Sequence, residues 1–239
     1  MTKFILHKAE TRGHAHHGWL NTYHSFSFAS YFDPERIHFG ALRVLNDDTV
    51  AAGMGFGTHP HNNMEIITIP LAGDLEHKDS MGHTQVIKHG DIQVMSAGTG
   101  ITHSEYNKNK DKEVQLLQIW IIPREKNVTP RYDQLTLNSA DRHNTFQEIV
   151  SPHATDKSVW IHQDAWFHLG KLDKGFSITH PLKNKKNGIY IFVIEGEATI
   201  NQHALHKRDG LGVEGVERLD VTATDNTELL LMEVPMITL

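Results

Sequence analysis

Apolar residues along this chain come in short runs, not in long periodic faces. Four runs stand out: Met64 to Leu71 (MEIITIPL), Gln115 to Ile122 (QLLQIWII), Ile189 to Ile194 (IYIFVI) and Glu228 to Val234 (ELLLMEV). Each is strand-length, rich in β-branched or aromatic residues and bounded by Gly, Pro, Asn or Asp, as expected of strands between turns. No segment sustains a clean 3.6-residue period; the best helical candidate is a short one within 133–148. Many short strands with frequent turn signals predict an all-β protein of the sandwich or barrel type.

The two halves share a plan. Ile66 to Asp79 (IITIPLAGDLEHKD) aligns with Ile189 to Gln202 (IYIFVIEGEATINQ), pairing Gly73 with Gly196 at an offset of 123 residues. LLQIWIIP, ending at Pro123, aligns with ELLLMEVP, ending at Pro235, at an offset of 112, so that 11 residues are missing between the two anchors. Two related barrels in tandem are expected, joined near Pro123 to Arg131, where Pro, Asn and charged residues cluster.

Composition narrows the function. The chain has 239 residues, enough for two domains of roughly 100–150 residues each. With 23 Lys+Arg against 29 Asp+Glu the formal net charge is −6, so the basic footprint of direct nucleic-acid binding is missing. There is no cysteine, which excludes disulfides, thiolate ligands and cysteine nucleophiles and suits a reducing compartment. The first apolar run, Phe4 to Leu6, is too short for a secretory signal core, and no stretch approaches a membrane span. A cytoplasmic protein is expected, with a monomer as the default.

Histidine is unusually abundant, at 19 residues. At this density about one or two His-x-His triplets arise by chance. Two occur, at His14/His16 and His59/His61, and His-x-acid occurs at His77/Asp79, His89/Asp91, His103/Glu105 and His162/Asp164. Spacing alone therefore selects nothing. Context selects more. Gly53 to Glu65 (GMGFGTHPHNNME) places His59 and His61 on one face of a strand, with Glu65 on the same parity if the strand runs on. Pro60 marks an edge or bulged position. Gly90 to Asn107 (GDIQVMSAGTGITHSEYN) places His103 and Glu105 likewise at i and i+2. Two such pairs on neighbouring strands can converge on one point and supply three imidazoles and a carboxylate, a nitrogen/oxygen donor set suited to a transition metal. Open coordination positions would then remain for catalysis.

These stretches resemble the two motifs of the cupin superfamily. The first fits from Gly53 through Glu65, with Gly73 one residue later than usual; the second fits at Gly90, Gly98, His103 and Asn107, with two extra residues before the histidine. The closer resemblance is to pirins and pirin-like bicupins, carried also by Gly13 to Leu20 (GHAHHGWL), His24 to Pro34 (HSFSFASYFDP), Phe39 to Asp48 (FGALRVLNDD) and LQIWIIP. It covers residues 1–135 specifically and 136–239 loosely.

The resemblance implies two tandem cupin, jelly-roll-like β-barrels: 1–135 as the metal-binding barrel and 136–239 as a barrel without metal ligands. It also implies Glu105, not Glu65, as fourth ligand beside His59, His61 and His103. Glu65 is left to support a histidine or to bond within the barrel. At the first offset His59, His61 and Glu65 map to Leu182, Asn184 and Gly188, although Thr179-His180-Pro181 echoes Thr58-His59-Pro60. One divalent metal per chain is expected, iron(II) first, with nickel, copper, manganese, cobalt or zinc as alternatives. His14, His16 and His17 are read as ordinary loop or core residues. Phe26, Phe28, Phe56 and Trp120 are read as core, with the mouth of the site as the other possibility.

For activity, the bacterial relatives resemble quercetinases, which open a flavonol ring with dioxygen and release carbon monoxide; Glu105 would be ligand and general base together. The alternative implied by eukaryotic pirins is a non-enzymatic regulator that binds a protein partner according to its metal's redox state.

Overall fold

The computed structural model describes residues 2–237. Its strands in the first half are β1 Lys3–His7, β2 Gly13–His16, β3 Leu20–His24, β4 Leu42–Val50, β5 Gly55–His61, β6 Glu65–Ala72, β7 Asp74–Asp79, β8 Thr84–Lys88, β9 Asp91–Ser96, β10 Ile101–Asn107, β11 Val114–Ile121 and β12 Arg131–Thr136. Those of the second half are β13 Phe146–Ser151, β14 Val159–Trp160, β15 Trp166–Leu172, β16 Ser177–Pro181, β17 Asn187–Glu195, β18 Glu197–Ile200, β19 His203–His206, β20 Gly210–Glu214, β21 Arg218–Ala223 and β22 Thr227–Pro235. The helix expected within 133–148 is a single 3-10 turn, Ser139–Arg142, capped by the Asn138 side chain accepting from the Ala140 N–H. No described helix is long and apolar enough to cross a membrane.

Each half is a two-sheet cupin-like barrel with the same strand order, except that the edge strand β14 pairs parallel with β13 where β2 pairs antiparallel with β3. The large sheets run β12-β9-β6-β11-β4-β3-β2 and β1-β20-β17-β22-β15-β13-β14; the small ones run β5-β10-β7-β8 and β16-β21-β18-β19. The four apolar runs of the sequence are the neighbouring strands β6 and β11 of one large sheet and β17 and β22 of the other. They read as nearly continuous hydrophobic runs because both of their faces are covered. One face looks into its own barrel. The other joins a shared apolar layer in which Ile67, Ile69, Leu117 and Ile119 meet Phe167, Tyr190, Phe192, Leu230 and Met232. The anchors Gly73 and Gly196 both make the tight turn between sheets in left-handed conformation, φ 75° and 78°, where a side chain is strained.

One assignment by chain position changes. β1, placed by sequence in the 1–135 unit, pairs antiparallel with β20 from Lys3↔Glu214 to His7↔Gly210, as the edge of the second large sheet. β12 occupies the equivalent edge of the first, from Arg131↔Ser96 to Thr136↔Asp91. Strand segregation between the halves is therefore not sequential at the N-terminus.

The interior of the second barrel is mostly apolar, filled by Leu182, Ile189, Ile191, Leu219, Val221 and Leu231 among others, with the buried rings of His168 and His180 in contact, centroids 4.5 Å apart. His180 pairs across with Leu219 just as His59 pairs with His103. The Thr-His-Pro echo is thus the true structural equivalent. Its partner strand, however, carries Leu219 and Val221 where the first barrel carries His103 and Glu105.

Candidate metal centre

Three adjacent strands of the small sheet in the first barrel build the site. β10 lies between β5 and β7, and its buried positions are Ile101, His103, Glu105 and Asn107. His103 pairs with His59 on one side and Asp79 on the other, and Glu105 pairs with His77. Strand alternation therefore sets three i, i+2 pairs side by side: His59/His61, His103/Glu105 and His77/Asp79. β5 is an edge strand, which is why Pro60 fits there without an N–H to offer. The β5–β10 register shifts between His103↔His59 and Glu105↔Phe56, with the extra residue on β5. A Cβ on Gly55 would fall 2.2 Å from the Glu105 carbonyl oxygen, so a glycine is required for the close approach at this bulge.

The ring centroids of His59 and His61 are 4.9 Å apart, those of His59 and His103 4.4 Å, and those of His61 and His103 4.9 Å. One ligating nitrogen of each ring lies within 4.8 Å of the others. His59 Nδ1 is 2.8 Å from the Gly57 carbonyl oxygen; the Nδ1–H donates there and leaves the Nε2 lone pair free. His103 Nε2 is buried without a hydrogen-bond partner among the described residues. Burial, aided by His103 and His59, pushes the His61 pKa down to about 4, and burial with His59 and His77 pushes His103 down to about 3. Both rings are neutral at neutral pH, the form that ligates a metal. An orphaned buried nitrogen and a tautomer fixed by a backbone carbonyl fit a bound cation of intermediate softness.

Glu105 lines the same cavity as the three imidazoles, but its carboxylate groups most closely with His103 and His77, one ligating atom of each lying within 4.8 Å of the others. The Gln118 amide donates to both of its oxygens, at 3.2 and 3.0 Å, and Gln118 Oε1 accepts from the Thr68 hydroxyl at 3.3 Å. Burial pushes the Glu105 pKa up, opposed by His77 and Gln118.

Glu65 points elsewhere. Ser96 donates to its Oε2 at 2.6 Å, and its Oε1 is buried without a hydrogen-bond partner among the described residues. The parity that would align it with His61 is broken in the connection from β5 to β6, where Asn63 adopts a left-handed φ of 46°.

A cavity of about 540 Å³ opens over the imidazoles, walled by Trp19, Phe28, Phe56 and Trp120. Of the aromatic residues read as core, Phe26 alone is buried in the inter-barrel layer. Trp120 packs edge-on to His61, with ring centroids 4.9 Å apart. The lining also includes a polar group, Thr22, His24, Asn46 and Asp48. His24 Nδ1 lies 2.9 Å from Asn46 Oδ1, Thr22 donates to Asp48, and burial pushes the Asp48 pKa up to about 7. These four escaped the sequence reading. Their signal was buried-parity polar residues at i, i+2, visible in Thr22/His24 and Asn46/Asp48. His17 also lines the mouth, whereas His14 pairs with Asn21 at 2.7 Å.

Residues 6–121 match the family model described as pirin, and 148–234 the one described as quercetinase C-terminal cupin domain. The chain is 44% identical over 230 residues to quercetin 2,3-dioxygenase of Escherichia coli (strain K12), covering 96% of this chain and 98% of the relative. It is 38% identical over 222 residues to a pirin-like protein of Caulobacter vibrioides, covering 92% and 95%. The solved structure of the bacterial pirin YhhW from Escherichia coli in complex with nickel(II) superposes with a TM-score of 0.93 at 42% identity, covering 98% of this chain and all of that one. With near-complete coverage by such relatives, this chain belongs to the pirin family of the cupin superfamily.

Proposed function

We propose that this protein is a metal-dependent dioxygenase of the quercetinase type, which opens the heterocycle of a flavonol with dioxygen and releases carbon monoxide. His59, His61, His103 and Glu105 would hold one divalent transition metal, iron(II) first, with Glu105 as the catalytic base. The observation that carries this reading is the grouping of the His59, His61 and His103 imidazoles, with the buried Glu105 carboxylate beside His103 in the same aromatic-sided cavity. The similarity to a quercetin 2,3-dioxygenase over nearly the whole chain supports it.

When bound, a divalent cation lowers the pKa of a hydroxyl that coordinates it and brings electron-rich substrate and dioxygen together. The chain's own residues supply the rest. Glu105 accepts the proton of the flavonol 3-hydroxyl; its burial-raised pKa brings it nearer to neutral pH, where a general base is most effective. Gln118 keeps the carboxylate aimed into the cavity by gripping both oxygens. Trp19, Phe28, Phe56 and Trp120 offer flat apolar walls that suit a planar aromatic ligand and exclude water.

The test is anaerobic loading with iron(II), nickel(II) or another divalent ion, followed by quercetin and then air. The expected result is loss of flavonol absorbance with release of carbon monoxide, both abolished in His59→Ala and strongly reduced in Glu105→Gln. No carbon monoxide with any of these metals would remove the enzyme reading.

A further inference from the structure

His77 is fully buried, is not among the ligands proposed above, and touches one of them. Its Nδ1 lies 3.5 Å from Nδ1 of His103, and its Nε2 lies 3.3 Å from Oδ2 of Asp79. Asp79 is itself fixed: its Oδ1 accepts from the backbone N–H groups of Met81, at 2.9 Å, and His83, at 3.1 Å. The His83 ring adds a contact from Nδ1 to Oδ2 at 2.9 Å. From behind, Tyr132 of β12 covers both rings, with centroids 4.9 Å from His77 and 5.0 Å from His83.

The hydrogen positions follow from these partners. A carboxylate only accepts, so a His77 ring carrying one proton presents Nε2–H to Asp79 and a lone pair at Nδ1. Among the described residues that lone pair is met by a proton on His103 Nδ1, 3.5 Å away. His103 Nε2, buried and without a partner, is then left with its lone pair free. Asp79, His77 and His103 form a carboxylate–imidazole–imidazole series, one imidazole longer than the usual carboxylate–histidine support of a metal ligand.

We propose that His77, backed by Asp79, is a positioning residue that holds His103 in the tautomer protonated on Nδ1 and so presents the Nε2 lone pair to the cavity. This rests on His103 being a metal ligand. The test therefore begins without metal. Protein labelled with 15N at histidine is observed metal-free by long-range 1H–15N correlation at about pH 8, above the ordinary imidazole range. Wild type is expected to show His103 protonated on Nδ1 and His77 on Nε2. In His77→Phe, which offers no acceptor, His103 should gain the Nε2–H form. His77→Gln, whose amide can accept from His103 and donate to Asp79, should restore the Nδ1–H form. With zinc(II) as a diamagnetic probe, His77→Phe should weaken binding about 10–100-fold, and His77→Gln should recover most of it.

His103 protonated on Nε2 in wild type, or a tautomer indifferent to His77→Phe, would overturn the proposal. So would zinc(II) shifts showing coordination by His77 itself. A wild-type tautomer as described, in protein that takes up no metal, would leave this support intact and remove the metal reading instead. The wild-type spectrum decides the tautomer even if His77→Phe fails to fold.

Discussion

The side-chain amide of Gln118 donates to both oxygens of Glu105, at 3.2 and 3.0 Å, inside the first barrel. Gln118 belongs to β11 of the large sheet and Glu105 to β10 of the small one, so the contact bridges the two sheets. It favours the ionised carboxylate against the burial that opposes it.

Removing that grip should therefore raise the Glu105 pKa further. In Gln118→Leu the pH above which the site takes up a divalent metal should move upward, with an affinity loss near neutral pH on the order of 10-fold. Metal titrations across a pH series in wild type and variant measure this; an unshifted profile would separate Glu105 from metal binding.

Trp120 combines a packing role against His61 with a buried indole N–H that has no partner among the described residues. Trp120 lines the cavity, and a ligand oxygen reaching this N–H would supply its acceptor. Trp120→Phe keeps an aromatic wall and loses the donor, so KM for a flavonol should rise about 5–10-fold, as for one lost hydrogen bond. The value of kcat should change less. Steady-state kinetics on the metal-loaded protein give both numbers.

Glu65 should make the protein less stable as pH rises. Burial lifts its pKa from 4.5 to about 7 in the folded chain, so between those values the folded state binds more protons than the unfolded one and stability falls with increasing pH. Glu65→Gln removes this dependence. Thermal unfolding of the metal-free protein should show the variant gaining over wild type above about pH 7, by up to about 3 kcal/mol, with the gain vanishing below about pH 4.5.

The two repeat-anchoring glycines should differ in tolerance. A Cβ on Gly196 would lie 2.1 Å from the Asn226 carbonyl oxygen, and one on Gly73 2.8 Å from that of Glu113. Both carry left-handed backbone strain on substitution, about 1–3 kcal/mol. Gly196→Ala adds the harder backbone clash and should be the more destabilising of the two in denaturant unfolding.

β1 ties the N-terminus to the far barrel through its ladder with β20, and His7 Nδ1 lies 2.9 Å from the Tyr190 hydroxyl. The adjoining Lys8 pairs with Asp209 at 2.7 Å. Deleting residues 1–8 should lower the stability of the second barrel and expose β20 to hydrogen exchange, while the His59, His61 and His103 cluster keeps its metal affinity. Exchange measured by mass spectrometry resolves the two.

The sequence by itself determined the strands and the pairing of His59 with His61 and of His103 with Glu105 on common strand faces. Turn-bounded apolar runs became neighbouring strands of the two large sheets, and each His-x-His or His-x-Glu pair fell on one face because alternation is a local property of extended backbone. The tertiary structure decided what local alternation does not reach. Glu65 left the site because one left-handed residue, Asn63, interrupts the parity that counting would carry through. His77 and Asp79, indistinguishable in sequence from the other His-x-acid pairs, became neighbours of His103 through the pairing of β10 with β7. The exchange of β1 into the second barrel, like the polar group of Thr22, His24, Asn46 and Asp48, depends on which distant strands hydrogen-bond to one another. That choice is made by the burial of whole sheet faces, not by the residues of any one strand.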